Sequence, residues 1–86
     1  LAEMVPDKAD AIIQRGFQFG QNRIICGVHW QSDVNAGRVV AAAVVAQLHT
    51  NADFKAQFGA AQKEVQAALA NNPTPDCALE REAAAR

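Results

Sequence analysis

Apolar residues recur at helical spacing in the first quarter of the chain. Pro6 and Asp7 suit the first turn of a helix, because proline fits the first helical position and an acidic side chain complements the helix dipole. An apolar stripe then follows at i, i+3, i+4 and i+8: Ala9, Ile12, Ile13 and Phe17. The pattern weakens at Gly16 and stops at Gly20, where the sequence Gly-Gln-Asn is typical of a break. We therefore predict a helix over residues 7–19.

The middle of the chain predicts one long helix from His29 or Trp30 to about His49. The preceding residues, 21–28, carry β-branched side chains that suit a short strand as well as a helical turn. Valine, leucine and alanine occupy almost every position after Arg38, so the helix has hardly any polar face there. A helix that is apolar on all sides is normally buried on all sides. We therefore expect this helix to be the most buried element, which is difficult in a monomer of 86 residues.

A third helix is predicted from about residue 52 to 70, with Thr50 and Asn51 as its cap. One face carries an apolar stripe at i, i+4, i+7, i+11 and i+15: Phe54, Phe58, Ala61, Val65 and Leu69. That stripe predicts a surface helix that packs on the core by one face. The run over 71–75 ends the helix, and residues 76–86 are expected to form a frayed helix or to be disordered.

Together the predicted helices define an all-α fold class. We expect residues 1–70 to form the helical domain and residues 71–86 to form a C-terminal tail. The helix that is apolar on every face also indicates that these helices belong to a larger helical bundle.

Composition and charge exclude several functions. Half of the residues are apolar, a fifth are charged, and the net charge is -1. Because Lys and Arg are scattered and Tyr is absent, we expect no nucleic acid partner. The longest apolar run, Val39 to Ala46, is far shorter than the roughly 18–20 residues of a membrane span, so we expect no membrane partner. Cys26 and Cys77 could pair with each other, pair with another segment, or stay free.

Three polar residues near the start of the long helix form the pattern Arg-x5-His-x3-Asp: Arg23, His29 and Asp33. On a helix, the spacing of His29 and Asp33 puts both side chains on one face. The aspartate can then hold one ring nitrogen, fix the tautomer and leave the other nitrogen free to attack. Arg23 offers a fork of N–H groups that fits two phosphate oxygens. The set suits covalent phosphoryl transfer, although a structural hydrogen-bond cluster would give the same spacing.

This stretch resembles the third signature motif of the bacterial nonspecific acid phosphatases, in the type 2 phosphatidic acid phosphatase superfamily. That motif reads Ser-Arg-x5-His-x3-Asp. Arg23, His29 and Asp33 match it, and Asn22 stands where the family usually has serine. The flanking Ile-Cys-Gly before the histidine and Trp-Gln-Ser after it look like the secreted class A branch, and the likeness covers roughly residues 1–70.

The resemblance implies a role for each matched residue. His29 would attack phosphorus and become a phosphohistidine, while Asp33 would hold the other ring nitrogen and stabilise the imidazolium. Arg23 would bind equatorial phosphate oxygens. Asn22, whose amide can donate a hydrogen bond, would tune the phosphate site. No metal ion or other cofactor is expected, because this branch of the family needs none.

Five further residues are expected to have structural or solvated positions. We expect Trp30 and Val28 to pack against other residues, and Cys26 to be a small buried residue. Arg38 and His49 lie past the motif, and we expect each to be solvated or to pair within its helix.

Two earlier motifs of the family are absent from the chain: a Lys-x6-Arg-Pro phosphate clamp and a Pro-Ser-Gly-His whose histidine is the general acid. We therefore expect the chain to be the C-terminal part of a longer or two-chain enzyme, with the N-terminal segment as its partner. The resemblance implies a periplasmic or secreted acid phosphatase that hydrolyses phosphate monoesters of broad specificity. We also expect a homo-oligomer.

Two other functions remain open at this point. A vanadium-dependent haloperoxidase would use the same cradle for vanadate, with the histidine as the metal ligand, and the residues themselves do not separate the two chemistries. The 86-residue chain could also be an inactive helical fragment or subunit. Phosphate release from p-nitrophenyl phosphate, compared with halide oxidation by peroxide and vanadate, would discriminate between the two enzymes.

Overall fold

In the computed structural model, which describes residues 1–71 and 76–85, the described chain is built from helices and contains no β-strand. A 3-10 turn at Pro6–Lys8 leads into four α-helices: α1 (Ala9–Ile25), α2 (Gln31–Leu48), α3 (Ala52–Asn71) and α4 (Ala78–Ala84). The all-α fold class predicted from the sequence is confirmed. No helix in the described part of the chain is both long and apolar enough to cross a bilayer.

Helix α1 runs past its predicted end, through the Gly-Gln-Asn sequence, and stops at Ile25. The predicted break rests on glycine's low helix propensity, which costs only about 1 kcal/mol per residue. Contact with α2 offsets that cost, because a β-carbon on Gly20 would stand 3.1 Å from Cγ1 of Val34. The break is therefore wrong, and so is the alternative of a short strand over residues 21–28.

A Schellman motif at Gly27 ends α1. The φ angle of Gly27 is 74°, in the left-handed region that glycine adopts without strain. The Val28 N–H donates to the Arg23 carbonyl at 3.1 Å, and the Gly27 N–H donates to the Ile24 carbonyl at 2.9 Å. These bonds satisfy carbonyls at the helix end and turn the chain towards α2.

Helices α1 and α2 pack as an antiparallel pair. Gln21 hydrogen-bonds to Gln31 at the end near the turn, and Gly20 faces Val34 farther along. The pairing of positions early in α2 with positions late in α1 is that of an αα-hairpin. It places the last turn of α1 beside the first turn of α2.

Helices α2 and α3 lie close to their predicted bounds. Helix α2 begins at Gln31, so His29 lies outside it and Trp30 is the N-cap residue. Asn51 caps α3 as predicted, since its Oδ1 accepts the Phe54 N–H at 2.9 Å. Four residues of the apolar stripe of α3 are partly buried: Phe54, Phe58, Ala61 and Val65. The fifth, Leu69, is more exposed, at 47%.

The N-terminal segment before Pro6 covers the junction of α2 and α3. The carbonyl of Met4 accepts hydrogen bonds from Gln66 at 2.7 Å and from Gln62 at 3.4 Å. Glu3 contacts Nε2 of His49 at 2.6 Å, and the His49 ring packs edge-on against two phenylalanines of α3. His49 is therefore neither solvated nor paired within its helix, contrary to the sequence prediction, because a distant segment folds back onto it.

Most of the apolar surface of this chain is exposed. Val5, at 4%, is the one buried hydrophobic residue in the described ranges. The accessible surface is 6951 Å², against about 4,900 Å² for a compact protein of 9.2 kDa. The radius of gyration is 15.5 Å, against about 12 Å for a compact domain of this length. The described helices therefore form an open, thinly packed structure.

Helix α2 is largely exposed in this chain taken alone, so the burial predicted for it requires the larger bundle. Val39 is 72% exposed, Val40 60% and Val44 51%. The pattern of valine and alanine says that a helix is suited to burial on every face, but it does not say which residues cover it. Here α1 covers only the N-terminal half of α2 on one side.

The tail contains a short helix, in agreement with one of its two predicted states. Helix α4 is tied to α1 by an ion pair of 2.9 Å between Glu80 and Arg15, whose side chains are more than half exposed. Such exposed pairs contribute little stability. Helix α3 ends at Asn71, where the sequence predicts that it stops. Residues 72–75 of the predicted stop lie outside the described residues, and so does Arg86.

Candidate active site

Arg23, His29 and Asp33 line one open cleft of about 410 Å³ between α1 and α2. Arg38 and three glycines line the same cleft. The turn after α1 brings the three motif residues together, because it sets the end of one helix beside the start of the next. The structure does not bring the fourth predicted residue into the cleft, since Asn22 is exposed on α1 and is not among the lining residues.

His29 and Asp33 make the side-chain contact that their spacing predicts. Nδ1 of His29 lies 3.3 Å from Oδ2 of Asp33, a long hydrogen bond, and both side chains are about half exposed. His29 reaches the carboxylate from the turn before Trp30, and the two residues do not share a helix face. The contact engages Nδ1, so Nε2 is the ring nitrogen available for attack.

The backbone links His29 directly to Arg23. The Arg23 carbonyl accepts the Val28 N–H at 3.1 Å and the His29 N–H at 3.2 Å. These two hydrogen bonds, which end α1, hold the backbone of His29 next to the last helical turn, where Arg23 lies. Both side chains consequently approach the cleft from the same short segment.

Asp33 occupies the third position of α2, where a carboxylate is favoured by the helix dipole. Partial loss of hydration raises the pKa of the Asp33 carboxyl. Hydrogen bonds from the Trp30 N–H, the His29 ring and the Val34 N–H, together with the charge of His29, outweigh that effect and lower the pKa below its ordinary value of 3.8. The aspartate is thus ionised when it contacts the histidine at neutral pH.

Arg23 lies in the last turn of α1, with its guanidinium carbon 5.4 Å from the centroid of the Phe19 ring. No carboxylate in the described ranges forms an ion pair with it. The guanidinium is therefore a cation on the cleft wall with N–H groups available for an anion. An oxyanion held there would lie in the cleft that His29 also lines.

Arg38 is the residue of this region that sequence reasoning missed. It bonds to Asn35 within its helix, as predicted, at 3.1 Å. It also donates across to α1, to the Phe17 carbonyl at 3.1 Å and to Oε1 of Gln21 at 3.0 Å. The contact within α2 follows from three-residue spacing, whereas the contacts to α1 depend on how the helices pack.

Three neighbours of the motif occupy positions other than those predicted. Trp30 is 80% exposed and Val28 62% exposed, and they line a second cavity of about 480 Å³ that His29 also borders. Cys26 is exposed, because it stands at the C-cap of α1 where the chain turns outward. Cys26 and Cys77 do not form a disulfide with each other, which was one of the pairings that the sequence left open. In the described residues, no group of three or more His, Cys, Asp or Glu side chains could hold a metal ion.

Comparison with known proteins points to one class, the bacterial acid phosphatases. A protein of Zymomonas mobilis subsp. mobilis named acid phosphatase is 46% identical over 86 residues, which cover 96% of this chain and 33% of that protein. The non-specific acid phosphatase of Providencia stuartii is 50% identical over 64 residues, covering 74% of this chain and 26% of that protein. The non-specific acid phosphatase of Salmonella typhimurium is 45% identical over 65 residues, with 76% and 26% covered.

The resemblance inferred from the motif is confirmed: the chain is a relative of the bacterial non-specific acid phosphatases. It spans between about a quarter and a third of the length of these curated relatives. No family model and no solved structure matches the chain.

Proposed function

We propose that this chain carries the nucleophile of an acid phosphatase that hydrolyses phosphate monoesters through a phosphohistidine on His29. The observation that supports this most directly is the shared cleft, in which Arg23 faces the same space as a histidine whose Nδ1 contacts Asp33. The names of the relatives favour a phosphatase over the vanadium-dependent haloperoxidase that the motif also allows.

The proposed first step is attack of His29 Nε2 on phosphorus. The bond from phosphorus to the ester oxygen breaks, and the alcohol leaves after taking a proton from a general acid. Asp33 holds Nδ1 and stabilises the positive charge on the ring, while Arg23 binds equatorial oxygens of the phosphoryl group. In the second step the deprotonated general acid takes a proton from water as the water oxygen attacks phosphorus, and the bond from phosphorus to Nε2 breaks. This releases inorganic phosphate and restores both the neutral ring and the general acid.

Two components of this mechanism have no candidate among these residues: the general acid and the rest of the phosphate clamp. We infer that they lie on an N-terminal segment or chain, so that the 86 residues are the C-terminal part of a class A enzyme. The open structure supports this, since its accessible surface exceeds that of a compact protein of its mass by about 2,000 Å². A homo-oligomer in the periplasm or outside the cell belongs to the same proposal.

Asn22 is proposed to tune the phosphate site from a position outside the observed cleft. Its side chain does not line the cleft, so it reaches a phosphate only if the last turn of α1 or the bound oxyanion is placed differently in the complete enzyme. Replacement by serine, the usual family residue, tests it. We expect Asn22→Ser to keep turnover and to alter KM alone.

The test uses the complete protein that carries this chain, with p-nitrophenyl phosphate as substrate. His29→Ala should abolish phosphate release, whereas His49→Ala is the matched control because that ring lies outside the cleft. Arg23→Ala should cost roughly 2–4 kcal/mol of transition-state stabilisation. Arg15→Ala removes the same charge from the exposed pair with Glu80 and should leave the rate unchanged. Equal losses in the His29 and His49 variants would contradict the proposal.

A further inference from the structure

The side chain of Arg38 forms hydrogen bonds with residues of both α1 and α2. One guanidinium nitrogen donates to Asn35 at 3.1 Å, and the other donates to the Phe17 carbonyl at 3.1 Å and to Gln21 at 3.0 Å. Its guanidinium carbon also lies 4.0 Å from the centroid of the Phe17 ring, within the range of a cation–π contact. Arg38 is thus bound to its own helix and to α1 at the same time.

The network around Arg38 continues to the start of α2. Gln21 exchanges hydrogen bonds with Gln31, at 3.2 and 3.3 Å, and Gln31 donates to Asn35 at 2.9 Å. These groups join the last two turns of α1 to the first two turns of α2. The Gly20 backbone lies under the Arg38 guanidinium, since a β-carbon there would be 3.1 Å from Nη2.

The position of this network relates it to the candidate site. Arg23 belongs to α1, whereas Asp33 belongs to α2, and both line the cleft that Arg38 also borders. The turn at Gly27 fixes where the chain reverses, but a single turn does not fix the angle between two helices. The cross-helix bonds of Arg38 reach α1 about two and three helical turns before Gly27, and they resist rotation of one helix against the other.

We propose that Arg38 is a positioning residue which, through Gln21 and the Phe17 carbonyl, clamps α1 to α2 so that Arg23 and His29 on the α1 side and Asp33 on the α2 side meet at one phosphate. The inference rests on the proposed function, because it takes the cleft to be a phosphate site. Arg38 itself has its two terminal nitrogens engaged by the protein. It therefore acts through the placement of Arg23 and His29 relative to Asp33 and not as a second ligand of the anion.

Nuclear magnetic resonance on the complete protein that carries this chain separates clamping from charge. The contact between the helices is followed by the nuclear Overhauser effect between the Gly20 α-protons and the Val34 methyl group. Inorganic phosphate is then titrated while the side-chain resonances of Arg23 and His29 are recorded. In the wild-type protein we expect the Overhauser effect, and we expect one dissociation constant to fit both side chains.

Three variants distinguish the possible roles. Gln21→Ala breaks the clamp from the α1 side without any change of charge, and Arg38→Lys keeps the charge but loses the fork. Both should weaken or abolish the Overhauser effect and raise the phosphate dissociation constant about tenfold, below the roughly hundredfold that a 1 Å misplacement can cost a reaction. Arg15→Ala, which removes a charge elsewhere on α1, should change neither quantity.

Each contrary outcome has a defined meaning. An unchanged Overhauser effect in Gln21→Ala and Arg38→Lys would show that Arg38 clamps nothing. Loss of that effect with an unchanged phosphate dissociation constant would overturn the positioning role and leave the phosphate site standing. A wild-type complete protein with the Overhauser effect but no response of Arg23 or His29 to phosphate would overturn the phosphate site, and the positioning role with it.

Discussion

Two glycines of α1 that look alike in sequence should respond in opposite ways to alanine. Around Gly16, apart from the adjoining residues and backbone of its own helix, no heavy atom lies within 4 Å of the position that a β-carbon would take. Alanine there gains helix propensity, so Gly16→Ala should stabilise the chain by roughly 0.8–1.0 kcal/mol. The same gain applies to Gly20, but a β-carbon there would lie 3.1 Å from Val34 Cγ1 and from Arg38 Nη2.

Carbon atoms normally approach no closer than about 3.5 Å, so Gly20→Ala must move one of its neighbours. The flexible end of the Arg38 side chain can shift, whereas the β-branched side chain of Val34 has a restricted χ1 angle. Val34 therefore determines whether Gly20→Ala raises or lowers the free energy of unfolding. Overpacking of this kind costs about 1–3 kcal/mol, which cancels or exceeds the propensity gain. Gly20→Ala should therefore be neutral to destabilising by about 2 kcal/mol.

Urea unfolding followed by far-UV circular dichroism measures both variants against the wild type. The difference between the two free energies of unfolding is the decisive quantity, because both substitutions change the same helix by the same methyl group. Equal stabilisation by Gly16→Ala and Gly20→Ala would show that α1 and α2 do not approach each other at Gly20. The antiparallel pair described above would then be wrong.

Three further results are expected. Asn51→Ala should destabilise the chain by about 1 kcal/mol in urea unfolding, because it removes the cap of α3, and an unchanged midpoint would refute the capping bond. Because the folded pKa of Asp33 is lowered, its stabilising effect is complete above its ordinary value of 3.8 and is lost as the pH falls through the lower folded value. Unfolding midpoints measured against pH should therefore converge for the wild type and Asp33→Asn in acid, and parallel curves would contradict the shift. The purified 86-residue chain should release no phosphate from p-nitrophenyl phosphate, and turnover by it would refute the proposed need for a separate general acid.

Local signals in the sequence predicted much of the fold. Helix α3 follows from a cap at Asn51 and an apolar stripe, both of which act within one or two turns. Local signals do not predict the end of α1 correctly. The low helix propensity of Gly20 indicates a break, whereas its contact with Val34 favours a continuous helix. A contact between helices cannot be read from the residues of one helix.

The candidate site likewise contains some contacts that the sequence predicts and others that it does not. The contact of His29 with Asp33 is predicted by their spacing, although His29 reaches it from a turn and not from the helix. The contacts of Arg38 with α1 depend on how the two helices pack, and no local sequence pattern predicts them. The exposure of Val39 shows the converse limit, since an apolar pattern identifies a surface suited to burial without identifying what covers it.

Trapping of the covalent intermediate tests the central claim most directly. The complete protein that carries this chain is mixed with substrate labelled in the phosphoryl group, quenched during turnover, and worked up in alkali because phosphohistidine is labile in acid. We predict that the label is found on His29 and that His29→Ala retains neither label nor turnover. Turnover in His29→Ala at a near-normal rate, with no label on His29 in the wild type, would show that the cluster of Arg23, His29 and Asp33 is structural.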